Sequence, residues 1–595
     1  MSLPVPPKSP ARTRWWCRTS VLAVVLFAAI LLNNEKYIFR YPQYEMSDLA
    51  ANSLQVLRAK HFQPVLGHYC RFGFYHPGPA FFYVYAAGEA LFHDALHLVP
   101  TPFNAQMIAW YAACAFFFAA TLSIILRRLD TAANKWFLGL ALLLAAWHFG
   151  AVGKHYEFIG GHQGIFCLWP PCVLVLPFLC FLVASASVAS GGGKDLPLMA
   201  LAAGFLAHGH VAMPLFVVPI TLLAYGGLFQ QVRATRSGRV AWPWQAFPRH
   251  HWIAAALIAL FLLPIVLDMV TADPSNVRLI LDHIRTGYGE RKGVWKSVLY
   301  FLHFGAYTAY PSSNIIPVFD TYDAPGTLLF FRTHWRAYGL WLAVICVPII
   351  LLRNRARFSR KGDDSFISAE VKAFLLRMYL VLVAAIFLTI IWGHIQEGPM
   401  YYYSSFCNFA IYYGFLLIFA IATALWVERR ALSHMAPSTS HLGNWPRRMK
   451  TAGPYLIALA AIAAFGHESR RFRSGPPDQD EHRRFATAIE TALKMDPVQP
   501  KLLSFEGQAW SEATGVALYL ERAGSSWYVA DNAPSIPLMF GRDRAIPDKE
   551  TSARLPDAST WRIVSRRTAS FLAKEQGLTV LPLARDVDLV IRPHP

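Results

Sequence analysis

The stretch that decides the fold runs from Tyr41 to Phe92 and reads YPQYEMSDLAANSLQVLRAKHFQPVLGHYCRFGFYHPGPAFFYVYAAGEALF. Its first half predicts an amphipathic helix over residues 47–60, since apolar side chains recur there at helical spacing. The apolar face consists of Ala50, Leu54 and Leu57, and the polar face of Asp48, Asn52 and Gln55. Ser47 is the predicted N-cap, which places Asp48 in the first turn, where the helix dipole favours a carboxylate. An aromatic helix is predicted over residues 81–92, and we expect both helices to lie at a membrane surface.

The rest of the chain is too apolar for a soluble protein of its length. It has 595 residues, of which 55% are hydrophobic, and a mean hydropathy of +0.33. Apolar runs of about 17–25 residues recur, which is the length that crosses a bilayer. The first run, Val21 to Leu32, has no small-residue cleavage site after it, so we interpret it as an uncleaved helix. The composition therefore predicts a polytopic α-helical membrane protein.

The basic residues determine the predicted topology. The net charge is +19, but its residues cluster in short loops between apolar runs, which is the positive-inside pattern and argues against nucleic acid as a partner. With the N-terminus in the cytoplasm, the pattern predicts about eleven transmembrane helices, at about 17–33, 103–126, 135–152, 165–188, 196–209, 212–229, 251–270, 336–352, 370–392, 403–427 and 452–466. Residues 34–102 and 271–335 are then large external loops. The eight cysteines show no metal or disulfide spacing.

A change in composition at residue 467 predicts a second domain. The transmembrane domain spans 1–466, and 467–595 is a small external α/β domain. Its clearest elements are a strand at Lys501–Phe505, a helix at Gly507–Arg522 and a strand at Ser526–Ala530. Later strand patterns fall in Trp561–Ser565 and Leu578–Ile591.

The first external loop carries the main candidates for chemistry. Asp48 is either a solvated helix-capping acid or a catalytic base at the membrane surface, and Glu45 is the alternative base. Arg71 is a headgroup contact or a ligand of a substrate phosphate, because a guanidinium binds phosphate oxygens bidentately. His76 precedes Pro-Gly-Pro and either binds substrate or caps that rigid turn.

Further candidates lie at the external ends of later helices. Lys154, His155, His162 and His210 are expected to line one external cavity, with Lys154 as a second phosphate-binding candidate. None of these histidines forms a pair with the i, i+4 spacing of a helical zinc site, so we predict no metal site among them and no cofactor, and the sequence leaves dependence on a divalent metal open. Glu397 and Tyr402 lie in a turn that is either an interfacial aromatic belt or a platform for a sugar ring.

On these residues the chain resembles the GT-C glycosyltransferases, a class that includes protein O-mannosyltransferases, arabinofuranosyltransferases and lipid A aminoarabinose transferases. In these proteins the first external loop carries an essential acid, which Asp48 matches. The run from His76 to Tyr83, HPGPAFFY, resembles the Lys-Pro-Pro and aromatic helix of the aminoarabinose transferases. The acid here is a single Asp rather than an Asp-Glu pair, which leaves the choice between Asp48 and Glu45 open.

The resemblance implies an enzyme that moves a sugar from a polyprenyl-phosphate donor, with inversion, to a glycan, lipid or protein acceptor. Asp48 would be the base, and Arg71 with Lys154 would stabilise the leaving phosphate. The protein would be a multi-pass protein of the bacterial inner membrane, in contact with its lipids, with the site facing the periplasm. One alternative is an oligosaccharide ligase with diphosphate-linked donors, for which Arg278, Arg285 and Arg291 are candidates. The other is a transporter, which would need charges within the spans and repeated halves.

Overall fold

Helices occupy most of the described chain. The computed structural model describes residues 12–129, 131–155, 167–235, 242–286, 291–309, 324–353, 368–396, 398–433, 445–468, 477–497, 500–531, 533, 535–547, 550, 554–575 and 577–592. The helices up to residue 468 are α1 Arg12–Asn33, α2 Ser47–Ala59, α3 Ala80–Gly88, α4 Pro102–Leu126, α5 Thr131–His155, α6 Pro170–Val173, α7 Val175–Ala189, α8 Leu196–Gly209, α9 Met213–Thr235, α10 Pro243–Ala246, α11 Pro248–Thr271, α12 Asn276–Thr286, α13 Val294–Ala309, α14 Ala324–Thr333, α15 Trp335–Arg353, α16 Ala369–Ile395, α17 Asn408–Ser433 and α18 Trp445–Glu468.

A helix or helix pair coincides with each of the eleven predicted spans. By length and hydropathy, six segments of the described chain could cross a membrane: Pro102–Leu126, Pro170–Ala189, Met213–Ala234, Pro248–Thr271, Ala369–Ile395 and Asn408–Glu428. α4 and α7 lie at the centre of the bundle and are mostly buried, whereas α11 lies at its periphery with most of its apolar side chains exposed. Exposed apolar surface on long helices is expected where lipid is the solvent, so the protein is a multi-pass membrane protein.

The first external loop folds into two helices joined by a short hairpin. α2 confirms the predicted amphipathic helix, and Asp48 lies in its first turn. The prediction that Ser47 caps this helix is wrong: Met46 holds the N-cap position, no side chain makes a capping hydrogen bond, and Ser47 itself has a φ of +58°. An antiparallel bridge between Tyr69 and Tyr75 closes the hairpin, and the aromatic helix α3 continues into a π-helical turn at Glu89–Ala95.

The C-terminal segment forms the predicted α/β domain. Its helices are α19 Pro477–Met495, α20 Trp510–Arg522, α21 Ile536–Phe540 and α22 Arg566–Leu572. Its strands are β1 Lys501–Phe505, β2 Trp527–Asp531, β3 Ala545–Pro547, β4 Ser559–Ser565, β5 Thr579–Pro582 and β6 Val587–Arg592. They form one six-stranded sheet in the order β3-β2-β1-β4-β6-β5, in which the first four strands are parallel and β6 and β5 are antiparallel to their neighbours.

The C-terminal domain covers the apolar face of α2. Ala50, Ala51 and Leu54 are buried in one apolar cluster with side chains of α19 and α20: Phe485, Ile489, Ala513, Val516, Ala517 and Leu520. The sequence indicated which face of α2 is apolar, and the structure shows that this face packs against protein. The position of the first external loop therefore depends on the far end of the chain.

Candidate active site

The carboxylate of Asp48 lies where α2, the hairpin and the segment before α6 meet. The hydroxyl of Tyr69 donates a hydrogen bond to Oδ1, and the indole Nε1 of Trp169 donates one to Oδ2 over 2.8 Å. Tyr69 is held by the hairpin bridge, and Trp169 is held at the N-cap of α6 by the two prolines that follow it. Two donors from different elements thus fix the orientation of one half-buried carboxylate.

The environment keeps Tyr69 in its donor form. Burial raises the pKa of its phenol, and the negative charge of Asp48 raises it further. The hydroxyl therefore stays protonated at physiological pH and continues to donate to the carboxylate. A carboxylate has about four lone-pair positions, so Asp48 retains acceptor capacity for a hydroxyl group of a substrate.

Aromatic rings connect Asp48 to Arg71. The ring of Trp169 meets that of Tyr403 at 5.4 Å between centroids, and Tyr403 stacks on Tyr401 at 5.0 Å with an angle of 13°. The guanidinium carbon of Arg71 lies 4.6 Å from the centroid of the Tyr401 ring, in cation–π geometry. Arg71 is exposed, and it forms no ion pair with any described carboxylate.

Glu45 has a different environment from Asp48, although the two are only three positions apart in the sequence. Its carboxylate is fully buried and accepts two hydrogen bonds from Arg522 at the end of α20, at 2.6 and 2.7 Å. This is a bidentate pair, in which the two guanidinium nitrogens occupy both carboxylate oxygens.

Three buried or half-buried histidines lie behind the hairpin. The rings of His76 and His210 are 4.5 Å apart, and the backbone N–H of Val211 donates to Nδ1 of His76 over 3.2 Å. Nδ1 of His68 is hydrogen-bonded to the side-chain oxygen Oδ1 of Asn52 in α2, at a distance of 2.8 Å. Burial lowers the pKa of His68 to about 3 and that of His210 to about 4, so both rings are neutral at physiological pH. Burial lowers the pKa of His76 as well.

The remaining predicted site residues are distributed as follows. Tyr402 is buried against Phe406 and Tyr403, so its neighbours Tyr401 and Tyr403 present their rings to the site instead. Lys154 and His155 lie in the last turn of α5, where only the backbone is described, and His162 and Glu397 lie outside the described residues.

Arg278 and Arg285 lie on α12, exposed and within 4 Å of acidic neighbours, and Arg291 follows that helix. Within the described residues, no group of three or more His, Cys, Asp or Glu could hold a metal ion.

Sequence reasoning did not identify Tyr69 and Trp169, and from the tyrosine run of the predicted platform it chose Tyr402 rather than Tyr401 and Tyr403. Aromatic residues make up 14% of the chain, so single rings carry no signal against that background. The pair Pro170-Pro171 is the feature that could have drawn attention to Trp169, because consecutive prolines fix the chain direction before a helix.

The fold is similar to that of known membrane proteins, although sequence comparison finds no relatives. No protein-family profile matches the chain, and no curated protein matches it. ArnT from Cupriavidus metallidurans bound to undecaprenyl phosphate has a TM-score of 0.51 and 14% sequence identity, covering 98% of this chain and 100% of that chain. The same protein in the apo state has a TM-score of 0.50 at 14% identity, with the same coverage. The oligosaccharyltransferase of Archaeoglobus fulgidus in the apo form has a TM-score of 0.35 at 13% identity, covering 93% of this chain and 70% of that chain.

These similarities define the class of fold. The chain is a polytopic α-helical membrane protein with a GT-C-like fold and a small C-terminal sheet domain, which confirms the fold class predicted from the sequence; the number of eleven spans stays a prediction. At 14% sequence identity the similarity concerns the fold, whereas the chemistry depends on the particular side chains of this protein.

Proposed function

We propose that the protein is a glycosyltransferase of the bacterial inner membrane that moves a sugar from a polyprenyl-phosphate donor to an acceptor hydroxyl on the periplasmic side. The acceptor is a glycan, a lipid or a protein. The observation that carries the proposal is the carboxylate of Asp48, oriented by Tyr69 and Trp169 and linked through aromatic rings to the exposed guanidinium of Arg71. The GT-C-like fold supports it, as does the undecaprenyl phosphate bound to the structurally similar ArnT.

Asp48 is the proposed general base. The acceptor hydroxyl binds to a free lone pair of its carboxylate and transfers its proton there as the hydroxyl oxygen attacks the anomeric carbon. Glu45 is less suited to this role, because Arg522 already occupies both of its carboxylate oxygens inside the protein. Taking Glu45 out of that pair would leave a buried guanidinium short of its main partner.

Arg71 is the proposed ligand of the leaving group. As the new bond forms, the bond between the anomeric carbon and the phosphate oxygen breaks, and the polyprenyl phosphate leaves with the electron pair. The additional negative charge on the phosphate is stabilised by the guanidinium. Attack on the face opposite to the phosphate inverts the anomeric carbon, as the resemblance to GT-C enzymes implies.

The aromatic rings between the two charged groups suit a sugar. Trp169, Tyr403 and Tyr401 lie between Asp48 and Arg71, and a sugar that reacts between a base and a phosphate ligand has to occupy that region. Lys154 stays a predicted second phosphate ligand, and His155, His162 and Glu397 stay predicted substrate contacts. His76 and His210 are neutral in this structure, so the role proposed for them is hydrogen bonding to substrate.

The test is Asp48→Asn in the purified full-length protein, reconstituted with a panel of undecaprenyl-phosphate hexoses and pentoses and with membrane extract as the acceptor source. Release of undecaprenyl phosphate and incorporation of sugar are measured. We expect kcat to fall by about 10²–10⁴-fold, the usual contribution of a general base, while binding of undecaprenyl phosphate is unchanged. Asp282→Asn, at an exposed aspartate of α12, is the matched control with unchanged turnover. Near-normal transfer by Asp48→Asn, or no turnover of any donor by the wild type, contradicts the proposal.

A further inference from the structure

α20 of the C-terminal domain contacts the turn that leads into Asp48. The hydroxyl of Thr514 lies 3.2 Å from the carbonyl oxygen of Ser47 and shares its hydrogen between that oxygen and the carbonyl oxygen of Ser511, which is 2.8 Å away in the same helix. A Cβ atom at Gly515 would lie 3.1 Å from the carbonyl oxygen of Glu45, so the helix packs directly against the backbone of the turn. Two consecutive residues of α20 therefore touch the two ends of the segment Glu45–Ser47.

Arg522, at the end of the same helix, fixes the side chain that begins this turn. Its guanidinium holds Glu45 with two hydrogen bonds of 2.6 and 2.7 Å and reaches Glu89 at 3.4 Å. Both glutamates have fully buried side chains. Glu89 also accepts from Gln106 of α4 at 2.8 Å and from Lys60 at 3.3 Å. Arg522 thus joins the C-terminal domain, the first external loop and the transmembrane bundle at one point.

The contact of Arg522 with Glu45 and Glu89 has a defined geometry because of the chemistry of the three groups. Burial lowers the pKa of Arg522, but the carboxylates of Glu45 and Glu89 outweigh that effect, so its pKa is raised overall and it stays charged. A bidentate guanidinium–carboxylate pair allows one orientation of the two groups, whereas a single point charge allows many. The pair therefore fixes both the distance and the orientation of the Glu45 side chain relative to α20.

The backbone between Glu45 and Asp48 depends on such support. Ser47 has a φ of +58°, in the left-handed region that residues with a Cβ seldom adopt. A residue keeps this conformation only when its surroundings enforce it, and here the surroundings are Thr514, Gly515 and Arg522. The direction in which the next residue, Asp48, leaves the turn is fixed by the same contacts.

We propose that Arg522 is a positioning residue: by holding Glu45, it sets the turn that aims the carboxylate of Asp48 at Tyr69 and Trp169. This inference rests on the proposed role of Asp48 as the base. It assigns the C-terminal domain a part in transfer, because a helix of that domain completes the geometry of the site. Glu45, the alternative base suggested by the sequence, then serves to hold the turn that positions the proposed base, Asp48.

The experiment measures kcat and the donor KM of full-length variants, with the undecaprenyl-phosphate monosaccharide that the wild type turns over. Arg522→Met is expected to lower kcat by between about tenfold and a hundredfold, the effect of a small misplacement of a catalytic group, with the donor KM within about twofold. Arg522→Lys keeps the positive charge but cannot form the bidentate hydrogen bonds, and it is expected to recover part of the loss in kcat. A smaller folded fraction would also lower the apparent kcat at an unchanged KM, so kcat is expressed per molecule of folded protein, counted by the stoichiometry of undecaprenyl phosphate binding.

Two further variants keep the test decisive. The double variant Glu45→Gln/Arg522→Met removes both partners, so that neither is left alone inside the protein, and it is expected to show the same fall in kcat. Arg58→Met removes an ion pair between α2 and the C-terminal domain, the contact with the exposed Asp543, and is expected to leave kcat unchanged. A folded double variant with wild-type kcat overturns the positioning role. If Asp48→Asn is also fully active, the proposed function has failed; if it is inactive, only the positioning role has failed.

Discussion

At the scale of single residues, two carboxylates three positions apart have different surroundings, and the roles proposed for them differ accordingly. Glu45 is buried and saturated by a guanidinium, whereas Asp48 is half-buried and accepts from two neutral donors. The sequence shows an acid at each position but not which one is paired, since the partner of Glu45 lies 477 residues away. This is why the choice of base could not be made from the sequence.

Arg71 is expected to act on the donor and not on stability. Its guanidinium is exposed and rests on an aromatic ring, so Arg71→Met removes a phosphate ligand without opening the core. A hydrogen bond to a charged group contributes about 1.5–3 kcal/mol, so the donor KM should rise by about ten- to a hundredfold with an unchanged melting temperature. Steady-state kinetics over a donor titration measure this.

The control for Arg71 is Arg278→Met, at an exposed arginine of α12 that faces Asp273 and Asp282. It should leave the donor KM unchanged. If Arg278→Met raises the KM and Arg71→Met does not, the phosphate binds at the second external loop, as the oligosaccharide ligase alternative requires.

His68 is expected to make the protein less stable in acid. In the folded protein the pKa of His68 is about 3, below the ordinary value near 6.5. Between these two pH values the unfolded chain is protonated at His68 and the folded protein is not. The contribution of His68 to the free energy of unfolding is therefore full above pH 6.5 and decreases progressively as the pH falls toward 3. At pH 5 the decrease is about 2 kcal/mol. His68→Gln should therefore show a smaller drop in melting temperature between pH 7.5 and pH 5 than the wild type.

The matched substitution for this comparison is His61→Gln, at an exposed histidine of the same loop. It should show the same drop in melting temperature as the wild type. An equal drop for His68→Gln and the wild type would mean that other groups set the acid sensitivity.

At the scale of elements, the sequence predicted α2 correctly but not what it packs against. The 3.6-residue period of Ala50, Leu54 and Leu57 identifies a buried face, and a period carries no information about the partner. The partners, on α19 and α20, follow more than four hundred residues later. Strand β3 was missed for a different reason: three residues, one of them proline, make no strand pattern of their own.

Leu54→Ala tests whether α2 and the C-terminal domain form one unit. Leu54 is 4% exposed within their shared apolar cluster, and truncating a buried leucine costs about 2–5 kcal/mol. We expect a lower melting temperature and faster proteolysis of the C-terminal domain, both measured on the protein in detergent. Leu260→Ala, at the exposed periphery of α11, should change neither. Proteolysis at the wild-type rate in Leu54→Ala would indicate that α2 contributes little to holding that domain.

At the scale of the whole molecule, the positions of the long helices and the α/β character of the C-terminal segment were predictable. Bilayer thickness fixes the length of an apolar run, and basic loops mark its ends, so both signals are local. The candidate site is different, because it is built from the first loop, the segment at Trp169 and the turn at Tyr401 and Tyr403. Only the fold brings these three parts of the chain together. The sequence could nominate the charged residues of the first loop and the turn around Tyr402, but not Tyr69 or Trp169.

The contact between α20 and the turn before Asp48 has a consequence for biosynthesis. Arg522 leaves the ribosome 477 residues after Glu45, which at 5–20 residues per second is a delay of roughly 25 to 95 s. Throughout that interval the apolar face of α2 has no protein cover and can rest only on the lipid headgroups or on a chaperone. On the proposed role of Asp48, a nascent or prematurely terminated chain would thus occupy the membrane with that carboxylate still unaligned, and turnover would begin only once translation is nearly finished.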